Sequence, residues 1–428
     1  MKKTSHSSEY GQALVLFVVG IAAFIGFVAL AIDGGMLLSD RRQAQNAADS
    51  AAMAAALARM SNQNWQSAGL NAAAAFDYDN DGVENWVSVH NPPLTGIYAT
   101  APNANQYLQV FITSTLKTSF AQVVFSDLTQ NTVMAVARAR PTLTLSPGNA
   151  LHATNPNACN ALTFSGSSGT IVTGGNAFSN STAHGSPTSC HSVRKNGSSG
   201  DVDINGGGIL AAGTFRNMTG DGVTTDDGIH EYQDQQDIPP LPNPDCSNLP
   251  HRSYNGGEET LLPGIYDDGL RITNFHDIVT LSPGLYCLRD DFSATGGVLT
   301  GDEVMIYMEE GAIEIRGNVS VNLTRSSDLE DASGNQWAGM IVYMPPENTS
   351  LIDMNGNSGS TYTGTIFAPG LANPASQPKC SVGGNGDSIA FNAQVICNTV
   401  DMYGNGTLYI TFNEEDNYHL PPIIELVE

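Results

Sequence analysis

From Leu14 to Ile32 the chain carries no charged side chain, and no other feature constrains its folding as strongly. A helix over these 19 residues is about 28 Å long, close to the roughly 30 Å hydrocarbon core of a bilayer. Lys2 and Lys3 precede it, as in a secretory signal. The apolar run is too long for that, because signal cores run about 7–15 residues, and no clean small-x-small cleavage site follows it. The segment is therefore expected to stay as a transmembrane helix. Beyond it, Met36 to Met60 is rich in alanine and other good helix formers. Gly34 and Gly35 are expected to loosen the helix between the two parts. The alanine face suits either a partner helix, which small residues let approach closely, or the chain's own head domain.

Basic residues do not settle the orientation, since Lys2 and Lys3 on one side face Arg41 and Arg42 on the other. The cysteines do more. Cys159, Cys190, Cys246, Cys287, Cys380 and Cys397 all lie beyond the first third of the chain. An even set behind a membrane segment points to disulfides outside the cytoplasm, with six buried thiols as the alternative. Of the fifteen pairings open to six cysteines, Cys380 with Cys397 is favoured as the short local loop. Their wide spacing is poor for zinc. The expected placement is N-terminus in the cytoplasm and body extracytoplasmic or on the cell surface. The net charge of -25, from 42 acidic and 17 basic residues, repels phosphate backbones and excludes nucleic acid as a partner.

The stretches "GQALVLF" (11–17), "ALAIDGG" (29–35) and "RRQAQNAADSAAMAAA" (41–56) resemble the N-terminal segment of TadG-like proteins. These belong with the tight-adherence (Flp) pilus assembly proteins. The likeness continues more loosely through "VSVHNPPLTGIY" (87–98) and "YLQVFITSTLKTSFAQVV" (107–124). It implies a membrane-anchored, pilin-like protein tied to adhesion and pilus biogenesis, with pilins or pilus assembly proteins as partners and no enzyme activity. Glu9 and Tyr10 resemble the glutamate-aromatic pair of processed pilins. Thr4 stands where the cleavage-site glycine is expected, so the helix is expected to be kept.

In "FDYDNDGVENW", Asp77, Asp79 and Asp81 alternate before Gly82, as in the first half of a calcium loop. Position twelve is Ser88 rather than glutamate, and Glu84 is the candidate substitute. The other reading is a hydrated acidic turn. Around it "NWVSVH", "YLQVFITSTL" and "NTVMAVARARP" read as strands, and "KTSFAQVVFSDL" as helix. Together they predict a small α/β pilin-like domain over 65–141.

From about Leu143 onward, short alternating runs such as "GTIVTG", "GAIEIRG" and "GTLYITF" are separated by Gly, Asn and Asp. "LLPGIYDDGLRI" at Leu262 returns as "LSPGLYCLRDDF" at Leu281, with the Pro-Gly pairs twenty residues apart. That is close to one coil of a solenoid. The predicted architecture is a right-handed parallel β-helix, with a β-sandwich as rival. "HEYQDQQDIPPLPNPDC" (230–246) reads as a linker or protruding loop, "APGLANPASQPKC" (368–380) as an excursion, and the tail "YHLPPIIELVE" as a cap on the last coil.

The expected organisation is thus 1–33 cytoplasmic tip and membrane helix, 34–64 alanine-rich helical stalk, 65–141 α/β domain and 142–428 β-helix. The expected function is pilus assembly or adhesion by binding, with a surface glycan or cell receptor as ligand. The alternative is a membrane-tethered polysaccharide lyase or glycosidase. Its carboxylates would be Asp267, Asp268, Asp290 and Asp291, which follow the two Pro-Gly repeats, with Arg271 or Arg289 beside them. A third reading is a structural component without a ligand.

Overall fold

The computed structural model describes residues 10–101, 103–116, 129–167, 169–185, 190–196, 200–218, 222–356, 359–371, 379–384 and 389–427. The Lys2–Lys3 pair, Thr4, Glu9, the helix expected over 117–128 and most of the 368–380 excursion lie outside these residues. The chain forms two compact units, one of 1–142 with 421–428 and one of Leu143–Leu420.

In the first unit a single helix, α1, runs from Tyr10 to Met60, about 75 Å at the usual rise. The helix does not loosen at Gly34 and Gly35. A glycine costs a helix interior only about 1 kcal/mol, too little to break so long a ladder. From Leu14 to Ile32 nearly every residue is exposed. This helix is long and apolar enough to cross a membrane.

The second half of α1 has a different surface. Ala44, Ala47, Ala48, Ala51, Ala52, Ala55 and Ala56 recur every three or four residues and are fully buried, forming one apolar stripe. They pack on Leu108, Val110, Ile112, Val133, Ala135 and Ala137 of an antiparallel sheet. Polar contacts tie the packed half near its two ends. Ser114 and Asn131 donate to the Asp40 carboxylate at 2.6 and 2.7 Å, and Arg59 donates to Asn91 Oδ1 at 2.7 Å. The 34–64 segment is thus part of the same unit as the sheet. A second helix, α2 (Trp65–Ala74), is capped by Asn64. The sheet orders Asn85–His90, Tyr107–Leu116, Thr129–Arg140 and then Ile423–Leu426 from the far end of the chain.

The second unit is a parallel β-helix with three walls, which excludes the sandwich. The strap wall stacks Gly264–Tyr266, Gly284–Leu288, the end of Val298–Met308 and Met340–Tyr343. The threonine wall stacks Glu258–Leu261, Ile278–Leu281 and the start of Val298–Met308. The groove wall stacks Leu270–Ile272, Phe292–Ala294, Ile313–Ile315, Ile352–Gly356, Lys379–Gly384 and Thr399–Gly404. Alternate residues of each wall point inward into one continuous apolar core. Tyr362 and Phe391 stack there on successive coils at 4.6 Å.

The Pro-Gly echo does fall on neighbouring coils. Leu261 pairs with Leu281 at the expected twenty-residue offset, but after the corner Gly264 pairs with Tyr286 rather than Gly284. A shift of two leaves every side chain on its proper face, whereas a shift of one would reverse them.

The coils are not stacked in chain order. The chain enters in the middle at Asn149–Ala153 and winds to one pole at Ile229–His230. It resumes at the opposite pole with His251–Arg252 and winds back until Val395–Cys397 pairs with Leu151–Ala153. The junction is continuous on all three walls, with Val400–Met402 on Leu162–Phe164 and Leu408–Thr411 on Thr170–Thr173.

Ten successive parallel pairings on the strap wall at about 4.8 Å each span about 48 Å. Residues 231–250, extended, reach about 66 Å. They form the strap that carries the chain between the poles. Far from protruding, the strap lies on the outside of its wall. Gln236 exchanges hydrogen bonds with Asn180 at 2.8 Å, Tyr343 donates to Asn243 Oδ1 at 3.3 Å, and Cys246 is bonded to Cys287. Beneath it the outward residues Ile265, Tyr307, Tyr343, Phe367 and Ile396 form a second apolar cluster, against which Ile238, Leu241 and Leu249 pack.

The tail does not cap a pole. His419–Leu420 pairs with Leu143–Thr144, and Ile423–Leu426 joins the sheet of the first unit. All six cysteines are paired, as Cys159–Cys190, Cys246–Cys287 and the expected Cys380–Cys397.

Two predictions follow from this packing. Cys246–Cys287 closes a sequence separation of 41 residues, so replacing both cysteines by serine should lower stability by about 4 kcal/mol, read from denaturant unfolding under oxidising conditions. Unchanged stability would mean that the strap is not held by this bond. The second concerns His152, which is fully buried, bonded through Nδ1 to Ser146 Oγ at 2.8 Å and edge-on to Phe178. Burial pushes its pKa down from 6.5 to about 4. Below the ordinary value the unfolded chain takes up a proton that the folded chain refuses. Stability should therefore fall by about 3 kcal/mol as pH drops from 6.5 to 4, and His152→Gln should remove that part of the slope.

Candidate functional site

Three of the four carboxylates singled out from the sequence are ion-paired, Asp267 with one arginine and Asp290 and Asp291 with another. Asp267 accepts from His251 Nδ1 at 2.5 Å and from Arg289 at 3.1 Å. Arg289 reaches on to Glu309 at 2.8 Å. Asp267, Arg289 and Glu309 each follow one of the stacked residues Tyr266, Leu288 and Met308, so they lie on successive coils. The His251 and Arg289 contacts, in that order, hold the Asp267 carboxyl below its usual range. Asp290 and Asp291 lie 3.6 and 3.8 Å from Arg271. Asp290 also accepts from the Asp291 N–H, and Asp291 from the Ala312 N–H. Asp268 is exposed. The side chains of these ion pairs are roughly 40–60 % exposed, so each pair adds little stability.

The 77–84 loop is a tight turn closed by its own side chains. Asp81 Oδ1 accepts from the N–H groups of Val83, Glu84 and Asn85 at 2.8–3.1 Å, and these bonds hold its carboxyl low. Asp79 accepts from the Asn85 side chain at 3.2 Å. Asp77 and Glu84 are exposed. Among the described residues no group of three or more His, Cys, Asp or Glu side chains is arranged to hold a metal ion.

A polar site with less exposed carboxylates lies elsewhere, on the groove wall. Asp353, Ser381 and Asp401 occupy the same outward position on three successive coils. They line an open groove of about 570 Å³ with Ser165, Ser167, Lys379, Tyr403 and Asn405. Asp353 takes the Tyr403 hydroxyl at 2.6 Å on one oxygen and Arg316 at 2.9 Å on the other. Asp401 takes Ser165 Oγ and Lys379 Nζ, both at 2.7 Å. Burial, and next the bond to Asp353, push the Tyr403 phenol up to about 12.

Glycine lets the strands end together at the groove's edge. Gly404 has φ +134°, and a Cβ there would meet Gly384 O at 2.3 Å.

The acidic pairs drew attention because they sit beside the obvious Pro-Gly echo. The groove has an echo of its own, "IDMNGN" at Ile352 and "VDMYGN" at Val400. Both aspartates come from it, and the two copies sit two coils apart rather than one.

Comparison with known proteins places the N-terminal part. Residues 11–59 match the family model Tad, described as putative Flp pilus-assembly TadE/G-like. A search of curated proteins found no match, and a search of solved structures found none either. The match ends one residue before α1 does, so it covers the membrane-length helix and the alanine stripe that grips the sheet. It is this helix, at the N-terminus of the chain, that is TadE/G-like.

Proposed function

We propose that the protein is a membrane-anchored component of a Flp/Tad-type pilus system that acts by binding rather than catalysis. The carrying observation is the TadE/G-like match over a helix whose first half is uncharged and exposed. The helix anchors the chain, and its N-terminal end faces the cytoplasm. The β-helix stands outside the cytoplasm, in the compartment where three disulfides persist. Its partners are pilins or other pilus assembly proteins, and its coils present a long rigid surface to a ligand. Binding is favoured over polysaccharide cleavage because Asp267, Asp290 and Asp291 each face an arginine.

Cell fractionation tests this. The protein should stay in the membrane pellet after a carbonate wash, protease added to spheroplasts should remove the coils, and deletion of the gene should reduce sheared filaments. Coils protected in spheroplasts, together with normal filaments in the deletion strain, would overturn the reading.

A further inference from the structure

The groove between Asp353 and Asp401 can take a ligand that the family resemblance does not specify. Its three outward positions repeat at the coil spacing of about 4.8 Å, so the two carboxylates sit about 10 Å apart along the stack with Ser381 between them. Among the described residues Asp353 Oδ1 and Oδ2 have one partner each, Tyr403 and Arg316. Asp401 Oδ1 and Oδ2 have Ser165 and Lys379. A carboxylate has about four acceptor sites, so each retains capacity for further donors. Lys379, with its side chain half-exposed, retains N–H donors of its own.

Behind Tyr403, Asn355 is 5 % exposed. It does not line the groove but donates to the Tyr403 hydroxyl at 3.3 Å, and its own buried Oδ1 has no partner among the described residues. The groove therefore offers acceptors and donors a few ångströms apart, in a lining that is mainly polar.

The charge and topology narrow the ligand further. Lys379 is paired with Asp401, and Arg316 with Asp353 and Glu314. Neither cation is left to neutralise an anionic chain, and the net charge of -25 repels one. An extended peptide would need an open strand edge, but Ile352–Gly356, Lys379–Gly384 and Thr399–Gly404 are paired on both sides. Cleavage of a glycosidic bond needs a protonated carboxyl beside an ionised one, and here each of the two is ion-paired.

We propose that this groove binds a neutral polysaccharide, whose hydroxyls both donate and accept, laid across successive coils. The proposal deepens the binding reading above, on which it rests, by naming the ligand class and the residues that contact it.

The test uses the full-length chain in detergent micelles, titrated with cellohexaose, laminarihexaose and xylohexaose, with polygalacturonate as the polyanionic comparison. At least one neutral hexasaccharide should bind saturably. Asp401→Asn and Lys379→Met should each weaken that binding by about tenfold or more, whereas Thr280→Val on the threonine wall should leave it unchanged. Lys379 is exposed enough that its replacement keeps the fold, as a thermal melt will show. Binding by polygalacturonate alone, no saturable binding, or affinity unchanged from the parent protein in both groove variants would overturn the proposal. New reducing ends on the bound sugar would overturn binding without cleavage. Membrane retention and filament yield of a Lys379→Met strain separate the two readings. If the groove fails while these persist, only the glycan assignment falls.

Discussion

Ala137–Arg140 and Ile423–Leu426 lie side by side as antiparallel strands of one sheet, and the rest of the chain's topology follows from that pairing. Everything between them is an insertion whose two ends must meet. Within the β-helix the same demand appears as Leu143–Thr144 against His419–Leu420. A β-helix wound in simple order puts its first and last residues at opposite poles. This one enters and leaves at mid-stack, and the cost is a crossing from pole to pole, made once, by the strap.

The strap is also what allows the strap wall to be apolar on both faces. Its inward residues join the coil interior, and its outward ones, from Ile265 to Ile396, would otherwise form a greasy stripe along the stack. Ile238, Leu241 and Leu249 cover part of it, Trp337 and Tyr418 more. Trp337 is itself held by a hydrogen bond from its indole N–H to Asp331 at 2.9 Å. The threonine and groove walls have polar outer faces instead, for example Thr280 bonded to Thr300 at 3.2 Å. The strap wall is therefore the covered side of the coil stack, and the polar outer faces belong to the other two.

Local pattern made much of this legible. The uncharged run from Leu14 and the alanine spacing after it specify one helix with two different surfaces, and short alternating strands with a Pro-Gly echo specify coils. The stacking order was not legible, because Leu151 and Val395 carry no mark of being neighbours, and their pairing is imposed by where the chain must return. The strap reads as an exposed linker because its prolines interrupt regular structure and its glutamines and aspartates are polar. Only Ile238, Leu241, Leu249 and Cys246 reveal that one side of it is buried. The groove was missed for a related reason. Its two aspartates belong to coils separated by a third that holds Ser381, so no adjacent repeat advertises them.

The mid-stack junction bears on how such a chain can be made. Asn155 and Asn398 hydrogen-bond across it from 243 residues apart, and Gln394 closes on Ser146 from 248. During synthesis or export the coils from Asn149 to His230 emerge first, with the strand edge at 149–173 unpaired. That edge stays open until almost the whole remaining stack has wound towards it. Contacts of such long range form slowly, and an unpaired edge is a template for the wrong neighbour. In the placement proposed above, vectorial delivery across a membrane, with the N-terminal helix already held in the bilayer, would keep neighbouring chains apart during that interval.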